Sequence, residues 1–317
     1  MSHRRCAALV LLSLALVSAC PAAATELRFM TGPQGGSWYP LGGAIADIIK
    51  REVPGVSASV VPGAGIANVK GVEVGKAELG FGNSSSTVDG VLGRDPFTEP
   101  TRHVRQVATL YLQYFQVVVR EATGIRSVKD FRGRALTTQQ KGNTGEQMTR
   151  DLLQIHGLSY KDLRSVSHVS YSDSVSQMKD NHAQVFSLVT TVPAGAILDV
   201  AASHKIRLVG ITAADFESLQ KLNRGYAKRV IPKGTYPGVE EDVTTFGTYT
   251  HLIARADLSE DLVYRITKAL HKHAGDLGNV VQAVKGLDLK EMAFDVGVPY
   301  HPGAAKYYRE AGVLAVR

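Results

Sequence analysis

The chain has 317 residues, 44% hydrophobic and 21% charged, with 31 glycines and 12 prolines scattered along it without a repeat period. That composition excludes disordered, collagen-like and solenoid chains and leaves room for roughly two domains. Thirty-six Lys and Arg against 29 Asp and Glu give a formal charge of +7. No three basic residues are consecutive and no aromatic platform accompanies them. The excess reads as a mild field for small anions, not as a nucleic-acid surface.

The first 24 residues read as a leader. Arg4 and Arg5 precede a mostly apolar run from Cys6 to Ala19, and Ala22-Ala23-Ala24 offers small residues for cleavage. A membrane-spanning helix needs about 20 apolar residues, so this shorter run is a signal peptide. Val17-Ser18-Ala19-Cys20 also fits a lipoprotein box with Cys20 lipidated, but a strand starting at Glu26-Leu27-Arg28-Phe29 favours cleavage near Thr25. The mature chain then has 293 residues, a charge of +5 and no cysteine, because Cys6 and Cys20 leave with the leader. Disulfides, thiolate metal sites and cysteine nucleophiles are thereby excluded. No second stretch approaches membrane length, so a soluble, monomeric periplasmic product is expected.

The mature chain alternates short apolar runs with amphipathic stretches, the grammar of α/β layers. Leu27 to Thr31 reads as a strand. Trp38, Leu41, Ile45, Ile48 and Ile49 then recur at helical steps, with Ser37 placed to cap that helix. Val56 to Val61 is a second strand, Ile66 to Val74 a helix closed by Gly75, and Leu79-Gly80-Phe81 a third strand followed by Asn83-Ser84-Ser85-Ser86. Tyr111 to Arg120 is a long apolar segment leaving this unit.

The second unit repeats the pattern. Ser127 to Asp130 has the form of a capping box, Arg134 to Thr138 of a strand, and Thr144 to His156 of a helix ended by Gly157. Strands are expected at Val166 to Val169, Val185 to Val189 and Ile206 to Ile211, with helices around Ser174 to Lys179 and Ala194 to Ser203. Thr244 to Arg255 reads as the return crossing, followed by a Ser259-capped helix to about Lys272 and helical pieces near Ala304 to Ala311. Two crossings imply a discontinuous first domain, hence a two-lobed α/β clamshell with its site in the cleft.

Catalytic and nucleotide motifs fail on inspection. Gly71 to Lys76 has one residue too few for a P-loop and Ala77 where Ser or Thr belongs, and Gly63-Ala64-Gly65 lacks the last glycine of a dinucleotide fingerprint because Asn68 stands there. There is no HExxH, His271 and His273 point to different helix faces, and no Gly-x-Ser-x-Gly elbow occurs. No metal, no cofactor and no catalytic residue is expected.

What remains is a set of polar strand-to-helix turns. Thr31 to Gly42 combines glycines with Gly36, Ser37, Trp38 and Tyr39. Pro62 to Gly65, Asn83 to Ser86, Gln139 to Gly145 and Thr190 to Pro193 open further helices. In an open α/β sheet such turns lie beyond the carboxyl ends of strands, where ligands bind, and their free amides suit a carboxylate. Trp38 and Tyr39 would supply apolar walls.

At these residues the chain resembles the TAXI family of TRAP-transporter solute-binding proteins. The likeness runs through the Gly32 to Gly42 opening, Gly65 to Asn68, Gly75 to Leu79, Ser84-Ser85, Val192 to Ile197, Ile231 to Gly238 and Leu258 to Leu270. It implies a type II-like periplasmic-binding-protein clamshell, with residues 25–114 plus 250–317 as the first lobe and 115–249 as the second. It further implies a receptor that closes on a small organic anion, a glutamate-like amino acid or a dicarboxylate, and delivers it to TRAP-type permease subunits. Candidate ligand-binding residues are Gly36, Ser37, Trp38, Tyr39, Asn68, Ser84, Ser85, Asn143, Thr144, Gly145, Thr191 and Pro193. The chain departs from the family where Gly142-Asn143-Thr144-Gly145-Glu146 replaces Gly-Ser-Gly-Thr-Glu, and where Asn181 and Gln184 replace Gly and Asp. A ligand-sensing adaptor, or an enzyme on the same fold, is the alternative.

Overall fold

In a computed structural model, residues 25–32 and 36–315 are described; the leader, with its signal-peptide and Cys20 readings, and Pro33 to Gly35 of the first turn lie outside them. The chain begins with β1 (Thr25–Met30), α1 (Trp38–Glu52), β2 (Val56–Val61), α2 (Gly65–Glu73), β3 (Leu79–Asn83) and α3 (Ser84–Leu92). β4 (Val104–Arg120) leads to β5 (Ala135–Thr138), α4 (Thr144–Ile155), β6 (Ser165–His168), α5 (Tyr171–Lys179), β7 (Val185–Thr190) and α6 (Gly195–Ser203). Next come β8 (Ile206–Leu208), α7 (Ala213–Leu222), β9 (Tyr226–Ile231) and β10 (Val243–Arg255). The chain ends with α8 (Glu260–Lys272), α9 (Ala274–Val280), α10 (Leu289–Met292) and α11 (Pro302–Glu310).

Among the described residues ten strands form one mixed sheet in the order β2-β1-β3-β10-β4-β7-β5-β6, with β8 added to β4 and β9 to β10. β1, β2 and β3 run parallel, as do β5, β6 and β7, so each set sends its carboxyl ends toward the middle of the molecule. β4 has 17 residues. At about 3.3 Å per residue it spans roughly 55 Å, too long for one lobe. It pairs antiparallel with β10 from Val104↔Arg255 to Tyr114↔Gly247, and register shifts at Thr250/His251 and Leu252/Ile253 mark where the pair bends.

The cores divide along these two strands. One cluster joins Leu27, Phe29, Leu41, Ile45, Ile49 and Phe81 to Val107, Leu252, Ile266 and Tyr308. Two others are built only from residues between Phe115 and Phe246. α1 buries Leu41, Ile45, Ile48 and Ile49, each burial stabilising by about 1.5–3 kcal/mol. The lobe limits near residues 114 and 250 are our reading, and the core clusters support it.

Several local expectations shift. Ser37 does not cap α1: its own backbone is helical, and its hydroxyl lies 3.1 Å from the Tyr111 hydroxyl instead. The Ser127 capping box is present but opens only a single 3₁₀ turn, Val128–Phe131. The strand foreseen to Ile211 ends at Leu208. α7 and β9 lie where no element was expected. α7 buries only Leu219, and β9 alternates buried ends with exposed Lys228 and Val230, so neither presents a continuous apolar signal.

Candidate functional site

Six strand-to-helix turns meet at the centre of the molecule. Those after β1 and β2 face those after β5, β6 and β7 across a two-chambered cavity. The outer chamber, about 640 Å³, is lined by Gly36 and Ser37 from one lobe and by Gln139, Asn143, Ser170, Tyr171, Thr191 and Pro193, among others, from the second. The inner one, about 90 Å³, adds Trp38, Ala64, Gly65, Asn83, Gln113 and Thr144. Gly36, Ser37, Gln139, Asn143, Tyr171 and Thr190 line both, so the chambers are continuous. A larger concavity of about 1270 Å³ lies between α7–β9 and the C-terminal segment, and Ser84 is the one residue it takes from a strand-to-helix turn of the parallel strands.

Of the five helices whose starts line the cavity, α5 alone has an N-cap side-chain bond; elsewhere α3 and α9 also lack one. In α1, α2, α4 and α6 no N-cap side chain accepts from the first turn, although at α2 the Ala64 N–H donates to Asn68 Oδ1. By contrast Thr212, Ser259, Asp288 and His301 cap α7, α8, α10 and α11, and Ser170 caps α5. An uncapped first turn leaves amide donors and the positive end of the helix dipole open to a ligand. Four such ends on one cavity set up an environment for an electron-rich group.

The walls mix polar and apolar groups and are almost uncharged. Among the described residues no Lys, Arg or His lines either chamber, and Asp199 at the outer rim, paired with Lys179 at 2.5 Å, is the one carboxylate. Trp38 is 7% exposed, and its indole N–H donates to Thr250 Oγ1 at 3.1 Å, which also accepts from Gln113 at 2.9 Å. Tyr171 donates to the Val189 carbonyl at 2.8 Å, and burial pushes its phenol well above the usual range, so it stays neutral.

The expected residues are distributed as follows. Gly36, Ser37, Trp38, Asn143, Thr144, Thr191 and Pro193 line the chambers. Tyr39 is half-buried on α1 and lines neither. Asn68 is fully buried in framework: its amide donates to the Thr31 and Phe81 carbonyls at 2.7 and 2.9 Å and to Met30 at 3.2 Å, while its oxygen accepts from Ala64 N at 3.0 Å. Ser84 and Ser85 turn away from the cavity. The Ser84 hydroxyl donates to the Gly225 carbonyl at 2.6 Å and accepts from Tyr249 N, and Ser85 N donates to Thr248 Oγ1 at 3.1 Å. Gly145 is buried behind Gln139, whose oxygen occupies the place a Cβ would need. Asn83, Gln113, Gln139, Ser170, Tyr171 and Ser172 are among the further lining residues. Of these, the third turn of the second lobe, Ser170-Tyr171-Ser172, was legible by analogy with the other strand ends.

The lobes touch beside the cavity. Thr144 Oγ1 of α4 accepts from Asn83 Nδ2 at 2.8 Å and lies 2.8 Å from Ser86 Oγ. Farther out, Arg150 pairs with Asp95 at 2.7 Å, Asn223 donates to Asp89 at 2.9 Å, and Arg94 reaches the Leu222 carbonyl. These bonds join residues 83–95 to residues 144–150 and 222–223.

Fold and cavity together define an α/β protein of the two-lobed periplasmic-binding-protein type. The chain belongs to the NMT1-like family, whose model matches residues 29–312. Among solved structures it is similar to PhnD1 from Prochlorococcus marinus in complex with methylphosphonate, at 11% identity over 92% of this chain and 100% of that one, TM-score 0.55. It is similar to XAC2383 from Xanthomonas citri bound to chloride ion, at 15% identity over 91% and 97%, TM-score 0.51. A TctC solute-binding protein from Polaromonas without ligand matches at 15% identity over 83% and 88%, TM-score 0.51. At these identities the likeness establishes the fold. Among the described residues no helix is long and apolar enough to cross a membrane, and no cluster of His, Cys, Asp or Glu is arranged to hold a metal ion.

Proposed function

We propose that the protein is a periplasmic solute-binding receptor that closes its lobes on a small acidic solute and hands it to a membrane permease. The observation that carries this reading is the set of four helix starts without an N-cap side-chain bond, α1 and α2 from one lobe and α4 and α6 from the other, on a cavity between the lobes. The ligand-binding residues on this reading are Gly36, Ser37, Trp38, Asn143, Thr144, Thr191 and Pro193. The resemblance to TAXI proteins suggests a TRAP-type permease as partner and a glutamate-like amino acid or a dicarboxylate as cargo. The fold likeness to solute-binding proteins is compatible with other transporter classes.

Mass spectrometry of the purified mature protein, native and then denatured, tests the reading. A stoichiometric acidic small molecule released on denaturation is the expected result. A protein that carries none, and that neither closes nor gains thermal stability with any solute in a broad metabolite panel, would remove the receptor assignment.

A further inference from the structure

β9 lies at a margin of the sheet, with β10 as its one strand partner among the described residues. On β10 the Thr244 carbonyl accepts from Ile211 N at 2.8 Å, on the side away from β9, while Tyr249 N donates to Ser84 Oγ at 2.9 Å on the side of β3 and β9. By the alternation of an antiparallel ladder, Thr244↔Val230 and Phe246↔Lys228 are then non-hydrogen-bonded pairs. The backbone N–H and C=O groups of Lys228 and Val230 therefore point out of the sheet. Tyr226, in the same phase, already spends its carbonyl on Gln220 Nε2 at 3.3 Å. Beyond it the edge is open: Lys228 and Val230 are exposed, Val230 at 43%, and among the described residues no turn or side chain bonds to their backbone.

This edge opens on the concavity of about 1270 Å³, lined by Arg224 and Lys228 on one side and by Phe294 and Arg309 on the other. Its floor is apolar, with Phe294 46% exposed and its ring 4.8 Å from that of Tyr249. Its charge is one-sided. Of its two carboxylates, Glu260 is paired with Lys306 at 3.2 Å and Asp295 accepts from Gly297 N at 2.7 Å. Among the described residues Arg224, Lys228 and Arg309 have no ion-pair partner.

From the open edge, the apolar floor and the unpaired cations together we infer that β9 is a strand-addition site. Its occupant is an extended acidic segment of another protein. The segment pairs its backbone with Lys228 and Val230, sets its acidic side chains toward Arg224, Lys228 and Arg309, and rests an apolar side chain on Tyr249 and Phe294. A second copy of this chain is disfavoured, because antiparallel self-pairing here would bring Lys228 and Arg229 against their own equivalents. The cations that guard the edge against self-association are the ones that choose an acidic partner. No residue lines both this groove and either central chamber, so the inference stands apart from the receptor reading.

The test pans a library of random peptides, about twelve residues each, on the full mature protein. Enriched peptides should alternate acidic with apolar residues, bind at least about tenfold tighter than their Lys-for-Glu counterparts, and slow amide exchange at Lys228 and Val230. N-methylating alternate residues of a peptide removes its donors along one edge without touching the protein, and in one of the two phases it should abolish binding. Lys228→Glu, at an exposed position, should keep the parent's melting curve and weaken the acidic peptides by about tenfold. Enriched peptides that are not acidic, that bind equally well when methylated in either phase, or that protect other amides overturn the inference. A library that yields no binder overturns it too. So does a peptide-free dimer that protects the same two amides, which would give the edge to a second copy.

Discussion

Thr144 and Asn83, 61 residues apart and in different lobes, share a 2.8 Å hydrogen bond at the wall of the cavity. The bond ties the first turn of α4 to the last residue of β3, and Ser86 Oγ lies 2.8 Å from the same hydroxyl.

Gly65 shows how tightly that joint is built. A β-carbon there would come within 2.2 Å of Thr144 Oγ1 and 3.0 Å of Asn83 Nδ2, while the backbone of Gly65 is otherwise ordinary. Gly65→Ala should therefore leave each lobe folded and obstruct closure. We expect ligand affinity to fall by about tenfold or more, with a larger radius of gyration in saturating ligand. Undiminished affinity and a compact particle would mean that Thr144 moves aside freely.

Asn68 should report on stability. Its amide ties three carbonyls and the Ala64 N–H together under the cavity floor. Asn68→Ala removes all four partners at once and is expected to cost at least about 2 kcal/mol in urea unfolding. Asn68→Asp, with an oxygen facing carbonyl oxygens, should cost more. If either variant weakened binding while retaining full stability, Asn68 would belong to the ligand site after all.

The outer lobe contact carries a pH dependence. Asp89 on α3 faces Arg94 at 2.8 Å from the following loop, Asn223 at 2.9 Å from the end of α7, and Asp151 of α4, which itself accepts from Tyr226 of β9 at 2.5 Å. Burial, aided by Asp151, outweighs Arg94 and pushes the Asp89 carboxyl up to about 7. An unfolded Asp titrates near 3.9, so between the two values the folded chain holds a proton that the unfolded chain releases. The contribution of this group is full below about pH 4 and is lost as pH rises through about 7. Urea unfolding at pH 5 and pH 8 should show a smaller drop in stability for Asp89→Asn than for the parent. Equal drops would assign the proton elsewhere.

Trp38, the one tryptophan of the chain, lines the inner chamber with its N–H on Thr250. Its emission should shift when the cavity fills and should not shift in response to solutes that fail to bind. A ligand that binds by calorimetry yet leaves the emission unmoved would place the bound solute in the outer chamber alone.

Much of the architecture was legible because its signals are local. The step of Trp38, Leu41, Ile45 and Ile49 marks α1, and two long apolar runs, Tyr111 to Arg120 and Thr244 to Arg255, mark the crossings. α7 and β9 were not legible: one has a single fully buried residue, and the other interleaves Lys228 with half-buried positions. At the site, the turns announced themselves but their side chains did not. Ser84 and Ser85 look like ligand contacts in sequence, yet their partners Thr248 and Gly225 lie about 140 to 165 residues away and claim them first. Asn68 is likewise taken by framework, its partners at Met30, Thr31, Ala64 and Phe81 lying 4 to 38 residues away. A polar residue at a turn does not say which of two neighbours, solute or framework, it satisfies.

The place of β10 in the sheet has a consequence for how the molecule comes into being. β3 and β4 are not partners; β10 lies between them, and it is contributed by residues 243–255. The first lobe therefore has no continuous sheet until the chain is nearly complete, although its opening strands are made first. The stretch from Phe115 to Phe246 can assemble its own cores before that moment, and the insert is finished ahead of its host. A chain stopped near residue 249 keeps the interior of one lobe and leaves the other as two unjoined half-sheets, with half of the cavity wall and nothing to hold it.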